Sequence, residues 1–581
     1  LIFSLNTGTL FMALDYFAPG VYVEEVDRGS RSIEGVSMSV AGFVGFTEDV
    51  RGDAELFKPM LVTTWSQYLE LFARPGSDGF TDFNAYLPFA VQGWFLNGGG
   101  RCWVVSIGTK LPGSPAPTAE ETGRKILTSG GKPSLLFNLK QSTETGGTLA
   151  LPSATGRITV TVLESEPKPL PEDASEEAEP PINTGEFFTV IVRNGDQVLE
   201  RYDHLSMNAQ VETAVADYVV TALEPSEFIA ISNISLSGQA LSRRPGNGSY
   251  EVAPPPYIAR EDQLVRDLQG ARNDKTGMQG IFEIDEVSMI ACPDVMRVYQ
   301  EGLIDLDQVH GIMETMISLC ENSFPGPAYR MAVLDAPPVK PGKNDNCAVQ
   351  PDQQKPQDIF NWLRDFNRRS MFGALYYPWI KVANPRNAGR PMLVPPSGHM
   401  MGVWCRTDET RGIFKAPANE TPRGVLGLAY ETNMREQEML NPVGINCVRN
   451  FGNYNRGYKI WGARTLVEPD NVQWRYISVR RLISYIEKSI EIGTQWVVFE
   501  PNDMDLWERV KRTVSNFLER LWREGALFGG SPEEAFYVKC DGELNTPDTM
   551  MLGRLYVEVG VCPVRPAEFV IFRISQWAPG Q

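Results

Sequence analysis

At 581 residues the chain is long enough for three to five domains of about 150 residues, each able to bury its own core. Hydrophobic residues at 42% and charged residues at 22% are ordinary globular proportions, which excludes wholesale disorder and a fibrous class. The formal net charge of −18 argues against nucleic acid as the main partner, because phosphate binding needs a clustered positive surface.

Residues 1–11 lack the basic opening of a signal peptide, and no apolar run approaches the roughly 18 to 20 residues that span a bilayer. From Pro19 the run GVYVEEV alternates and is rich in β-formers, which predicts a strand behind a Pro-Gly turn. VAGFVGF (40–46) and CWVVSI (102–107) read as buried strands, with helices over 65–72 and 85–95 between them. Gly98, Gly99 and Gly100 read as a turn, since Arg101 begins a strand where a phosphate loop would open a helix.

Composition then shifts. Gly and Pro near 111–117 are followed by predicted strands at 157–163, 186–193 and 218–223, a small β-rich insertion. Within it, ESEPKPLPEDASEEAEPP (164–181) is acidic and proline-rich, with too little apolar content to offset its ordering entropy, so a mobile solvent-facing loop is expected.

From Val287 the pattern alternates strand (287–292), helix (307–320), strand (330–334), helix (357–368) and strand (372–377), which implies parallel β-α-β pairing. Asp294 and Asp335 fall just beyond strand ends, where α/β enzymes place reacting groups. Against an enzyme stand only three histidines (His204, His310, His399) and the lack of a nucleophile elbow, a phosphate-binding loop or a zinc-protease helix. Eight cysteines (Cys102, Cys292, Cys320, Cys347, Cys405, Cys447, Cys540, Cys562) are scattered without a C-x-x-C pair, so neither zinc nor a disulfide framework is indicated, and no cofactor is expected.

Residues 472–529 read as two amphipathic helices flanking a short strand. After Pro501 and Asn502, taken as stop and cap, Trp507, Val510, Val514, Phe517, Leu518, Leu521 and Trp522 form one apolar stripe. The other face carries Arg509, Arg512, Asn516, Arg520 and Arg523 at helical spacing, with Lys511 beside them, a basic ridge that is otherwise explained as a solvated face. Lys and Arg outnumber Asp and Glu within 454–523, so the acidic excess lies elsewhere. Two last strands, 554–561 and 568–574, are joined through Pro563 and Pro566, which hinder a tight hairpin and suit a final strand that projects, hinged at those prolines.

The runs RRLISYIEKSIEIGTQWVVFEPND (480–503) and LWERVKRTVSNFLERLWREGALFGG (506–530) resemble the C-terminal core of contractile tail sheath proteins of phages and phage-tail-like injection machines. The resemblance extends to FAPGVYVEEV (17–26), PSGHMMGVWCRTDETRGIFKAPAN (396–419), LNPVGIN (440–446), WGARTL (461–466) and PVRPAEFVIF (563–572). It implies an α+β multidomain chain, with a mixed α/β sheath core, terminal strand-exchange arms and an inserted β-rich domain. The expected division is 1–11 as an extension before the true start at Met12, 12–30 as N-terminal arm, 31–135 and 250–431 as a middle α/β domain, 136–249 as the outer insertion and 432–581 as the C-terminal core with its arm.

The implied work is structural, with no catalytic, metal or cofactor site: a subunit that polymerises around an inner tube and contracts to drive it through a membrane. A bacterial contractile injection system is favoured over a phage virion sheath, and an α/β enzyme with a sheath-like domain is the remaining alternative. Implied partners are copies of this chain in stacked hexameric rings, an inner tube protein, and baseplate and cap proteins, without nucleic acid or membrane insertion. The implied setting is assembly in the bacterial cytoplasm as part of an injection particle or tail. Arg509, Lys511, Arg512, Arg520 and Arg523 are the expected tube contacts. Val21, Tyr22, Val23, Glu24, Glu25 and Val26 form the expected N-terminal arm, and Phe569, Val570, Ile571, Phe572, Arg573 and Ile574 the C-terminal one.

Overall fold

A computed structural model describes residues 33–573 apart from 75, 116–122, 141–157, 169–181, 183, 210–215, 236–237, 253–256, 322–328, 341–347 and 453–456. Strand β1 (Val40–Gly45) is buried along its whole length, since an apolar run without alternation suits a central parallel strand covered on both faces. Strand β2 (Met60–Val62) and helix α1 (Trp65–Phe72) follow, with Thr64 capping the helix by accepting from the Gln67 N–H at 3.1 Å. Helix α2 (Tyr86–Asn97) ends on Gly98, whose φ of 115° favours glycine, and the Gly99 N–H closes back on the Trp94 carbonyl at 2.9 Å. The triple glycine is thus a helix terminus leading into β3 (Arg101–Ser106), the turn that the sequence implied.

Strands β4 (Arg124–Leu127), β5 (Pro133–Leu139), β6 (Ile158–Glu164), β7 (Phe188–Asn194), β8 (Gln197–Ser206), β9 (Asp217–Tyr218), β10 (Ile229–Asn233) and β11 (Gly248–Val252) form two sheets, ordered β10-β5-β4 and β11-β6-β7-β8-β9. These share an apolar cluster that includes Ile126, Phe137, Val160 and Val190, separate from that of the body. Where a strand was expected over 218–223, only Asp217–Tyr218 is extended and Val219–Ala222 is a helical turn. The turn sends Val219 and Leu223 inward and Thr221 to solvent, whereas a strand would bury the hydroxyl with them. Residues 169–181 of the acidic segment lie outside the described residues. Lys110 and Ile258 form a parallel bridge, and the Ala259 N–H donates to the Lys110 carbonyl at 3.1 Å, so the chain leaves for the insertion and returns from it by adjacent tracks.

Beyond the insertion come β12 (Met289–Ala291), helices α3 (Asp294–Gln300) and α4 (Leu306–Glu321), β13 (Met331–Asp335), α5 (Pro356–Phe366), β14 (Gly373–Tyr377), β15 (Ile380–Asn384), β16 (Arg390–Val394), α6 (Ser397–Arg411), β17 (Gly427–Leu428), β18 (Ile445–Asn450) and β19 (Tyr458–Ile460). The central sheet has eight strands in the order β19-β18-β14-β13-β12-β1-β3-β2. Pairing is parallel from β18 through β3 and antiparallel at the two outer strands. The parallel pairing expected from the alternation is present, and β18 and β19, expected in the C-terminal core, instead complete this sheet. Helix α6 crosses α2 at glycines: a Cβ on Gly398 would stand 2.4 Å from the Ala90 carbonyl oxygen, and one on Gly402 2.6 Å from that of Trp94. Only glycine permits backbones so close.

The C-terminal region holds helices α7 (Ile477–Gly493) and α8 (Met504–Arg523), then β20 (Phe536–Lys539) and β21 (Glu558–Val561). The strand expected between the helices is a 3-10 turn, Gln495–Val497, followed by Phe499 at a φ of 67°, which breaks any extended run. Asp503, not Asn502, caps α8, accepting from the Leu506 N–H at 2.8 Å; Asn502 accepts from the Trp507 indole instead, at 2.8 Å. The α8 stripe, together with Leu482, Ile486 and Ile33, forms a third apolar cluster. No helix among the described residues is long and apolar enough to cross a membrane.

Helix α7 joins this region to the middle domain through its two arginines. Arg481, 3% exposed, is forked onto Asp408 of α6 at 2.8 and 2.5 Å and donates to the Met38 carbonyl at 3.0 Å, under the face of Trp404. Neighbouring Arg480 donates to Ser484 and Glu487 at 3.1 and 2.8 Å and lies over Phe372 and Trp474. Removing one partner of a buried, hydrogen-bonded ion pair strands the other charge, so Asp408→Ala is expected to cost about 3 to 5 kcal/mol, read as a lower urea midpoint.

Candidate assembly interface

The two carboxylates at the sheet's C-terminal edge are structural ties. Asp294 accepts from the backbone N–H groups of Phe46 and Tyr86, at 2.7 and 2.5 Å, joining the end of β1 to the start of α2. Asp335 accepts from the Ser397 N–H and hydroxyl, at 2.9 and 2.6 Å, fixing the start of α6. Burial, opposed by those donors, pushes Asp294 up to about 6 and Asp335 up to about 7. Between the unfolded value near 4 and these folded values, the native chain holds protons that the unfolded chain has released, so both groups make stability fall as pH rises. Asp335→Asn should remove its share of that slope, flattening the urea midpoint plotted from pH 5 to pH 8.

The basic ridge on α8 is partly neutralised from within the chain. Arg509 reaches Glu500 at 3.4 Å and lies over Trp496, Lys511 reaches Glu508 at 3.8 Å, and Arg523 reaches Glu519 at 2.5 Å. Arg520 donates to the Ile33 carbonyl at 2.6 Å and lies over Phe517. Among the described residues only Arg512 of the five has no ion pair, hydrogen bond or ring partner, and it is exposed. The acids at 508 and 519 stand at helical spacing from Lys511 and Arg523, a signal present in the sequence, whereas Glu500 reaches Arg509 from the turn ahead of α8.

The expected N-terminal arm, Val21 to Val26, lies outside the described residues, as does Ile574. Strands β20 and β21 pair only with each other, in antiparallel register Phe536 with Val561 through Lys539 with Glu558, and the described residues add no third strand to either edge. Residues 568–573 form no strand within the described chain, where one was expected over 568–574, because a strand needs a ladder partner and this stretch has none among the described residues. Phe569, Val570, Ile571 and Phe572 are 70, 69, 81 and 83% exposed, four consecutive apolar side chains in water, followed by exposed Arg573. Single exposed apolar residues are ordinary, whereas a contiguous run marks a surface meant to be covered.

The proline-bounded segment ahead of the tail is fastened rather than hinged. The Cys562 N–H donates to the Ala535 carbonyl at 2.8 Å, the Cys562 carbonyl accepts from Phe528 at 2.8 Å, and the Val564 N–H donates to Ala526 at 3.1 Å. Arg565 donates to the Val472 carbonyl at 3.2 Å. Glu568 is held by Arg464, Asn441 and Tyr476. Sequence reasoning overlooked this group, although a lone acid before an apolar run, with Asn441 and Arg464 inside the LNPVGIN and WGARTL motifs, was a usable signal.

Residues 307–466 match the family model of the phage tail sheath protein central domain, and 470–576 that of the phage tail sheath C-terminal domain. A prophage major tail sheath protein of Pseudomonas aeruginosa (strain UCBPP-PA14) is 23% identical over 253 residues, 42% of this chain and 58% of its own length. The tail sheath protein of Burkholderia phage BcepMu is 31% identical over 201 residues, 33% of this chain and 40% of its own. The chain thus spans 58% and 40% of the length of these two curated relatives. Among solved structures, the anti-feeding prophage helical sheath in its contracted state aligns over 96% of this chain and 99% of that one, at a TM-score of 0.51 and 22% identity. The PVC sheath complex of an extracellular contractile injection system, also contracted, aligns over 96% and 97% at a TM-score of 0.51 and 20% identity. At such identities the likeness is one of fold.

Proposed function

This chain belongs to the phage tail sheath family, and from that premise we propose that it is a structural subunit of a contractile sheath, assembling in copies around an inner tube. The observation that carries the reading is an apolar tail, 569–572, without a partner among the described residues, beside a two-stranded sheet whose outer edges are open among those residues. A tail that has no ladder partner among the described residues finds one on a neighbour, where each added backbone hydrogen bond contributes about 0.5 to 1.5 kcal/mol net. Val21 to Val26 is the second such arm. Contraction is then a rearrangement of bodies linked by exchanged strands, powered by surface newly buried between subunits rather than by a reaction.

An injection-system sheath is the favoured setting, supported by fold likeness along almost the whole chain to the sheaths of the anti-feeding prophage and PVC particles. The 31% identity to a phage tail sheath protein keeps a virion tail as the second reading. Tube, baseplate and cap proteins are the further partners, and assembly in the bacterial cytoplasm is the proposed setting. The α8 ridge is the proposed tube contact, and Arg512, without a partner among the described residues, is its foremost member. Arg509, Lys511, Arg520 and Arg523 would have to share their present partners.

Electron microscopy of the purified chain tests the reading. Striated hollow cylinders are expected from the full chain, and folded subunits without long cylinders from a chain ending at Glu568; soluble monomers from both would overturn it. Arg512→Glu is expected to leave self-assembly intact while loosening the grip on the tube. The same grip should weaken in wild type as salt rises, since exposed charges are screened over about 8 Å at physiological ionic strength. Tube retention by the variant equal to wild type at every salt concentration would remove Arg512 from the contact.

A further inference from the structure

Among the described residues Glu568 is the last point at which the chain is tied to its own body. One carboxylate oxygen accepts from Arg464 Nε at 2.9 Å and Asn441 Nδ2 at 2.6 Å; the other accepts from Arg464 Nη2 at 2.6 Å and the Tyr476 hydroxyl at 2.9 Å. The pair is mostly buried, the side chains being 9% exposed at Arg464 and 19% at Glu568. Burial opposes the charge, yet the donors from Arg464, Asn441 and Tyr476 hold the Glu568 carboxyl below the usual glutamate range. One residue later the chain is in water.

The three donors come from separate elements: the turn Asn441–Val443, the loop after β19, and the residue preceding α7. Arg464 is itself built into the central sheet. Its N–H donates to Asn446 Oδ1 at 2.7 Å, and Asn446 on β18 donates to the carbonyls of Arg464 at 2.8 Å and Leu375 on β14 at 3.1 Å. Residues 562–564, by contrast, are fastened to Ala526, Phe528 and Ala535 beside the third apolar cluster. The segment 562–568 therefore straps the C-terminal region to the middle domain, and Glu568 is its far buckle.

We propose that Glu568 is the anchor of the C-terminal arm: clamped by Arg464, Asn441 and Tyr476, it sets the pivot between residues 568 and 569 and carries tension on the arm into the central sheet. A pivot at Pro563 or Pro566 would let the whole strap swing with the arm. A pivot after Glu568 gives the arm a fixed point of departure, so that its strand meets a second copy in one register. The purpose assigned to the anchor rests on the sheath reading, whereas the anchor itself is a property of the single chain.

The test has two readouts. In the soluble full chain, hydrogen exchange should show the Cys562 and Val564 amides, the two in the strap that donate to the body, protected in wild type, roughly tenfold faster in Glu568→Ala, and intermediate in Glu568→Gln, which keeps one acceptor oxygen. Equal exchange in wild type and Glu568→Ala overturns the anchor whether or not cylinders form. In microscopy, folded Glu568→Ala subunits are expected to give short, irregular cylinders, and the double variant Pro563→Ala, Pro566→Ala to assemble and contract as wild type. Normal cylinders from Glu568→Ala alongside defective contraction of the proline variant would put the pivot at the prolines and overturn the proposal. Absence of cylinders from wild type would instead count against the sheath reading, and the exchange result would still decide the anchor.

Discussion

Where α7 meets α6, the Arg481 guanidinium lies out of water between the Asp408 carboxylate, the Met38 carbonyl and the Trp404 ring. Three parts of the chain converge on that one cation: the stretch leading into β1, the middle domain and the C-terminal helices. A guanidinium is suited to the place because its planar fork satisfies a carboxylate with two bonds and still has a donor for a carbonyl. This joint, together with the 562–568 strap, ties α8 and the β20–β21 sheet to the body at separate places. Beyond this tied body the described chain leaves Phe569 to Arg573 standing in water.

Periodicity disclosed what depends on neighbours in sequence. The α8 stripe from Trp507 to Leu521 is buried, and the apolar runs at 40–45 and 331–335 are central parallel strands. Pairing across the fold was less legible: nothing local in INCVRN or YKI tells that β18 and β19 finish the central sheet, a fact set by Leu375 opposite Ile445. WVVF looks like a strand by composition, but Phe499 in a left-handed conformation ahead of Pro501 ends it. The ridge was visible as positive charge, with Glu508 and Glu519 at helical spacing beside it, whereas the contact of Glu500, from the turn ahead of α8, appeared only with side chains in place.

Motifs first noticed for their resemblance acquire physical reasons. In PSGHMMGVWCRTDE, Ser397 binds Asp335, Gly398 and Gly402 admit the α2 backbone, and Asp408 receives Arg481. WGARTL and LNPVGIN supply two of the donors that hold Glu568. Each motif is thus a joint between elements distant in sequence, where substitution disturbs geometry rather than reactivity.

The adjacent tracks at Lys110 and Ile258 bear on how such a molecule diversifies. Because the chain departs and comes back side by side, with Ala259 bonded to Lys110, the stem of the insertion is closed before any of its own strands begin. A module carried on a closed stem and provided with its own apolar cluster imposes little on the register of the sheet beneath it. Lineages can therefore lengthen, shrink or exchange this outer module while keeping the body constant, and an engineer grafting a foreign domain onto the surface would find the splice points already chosen.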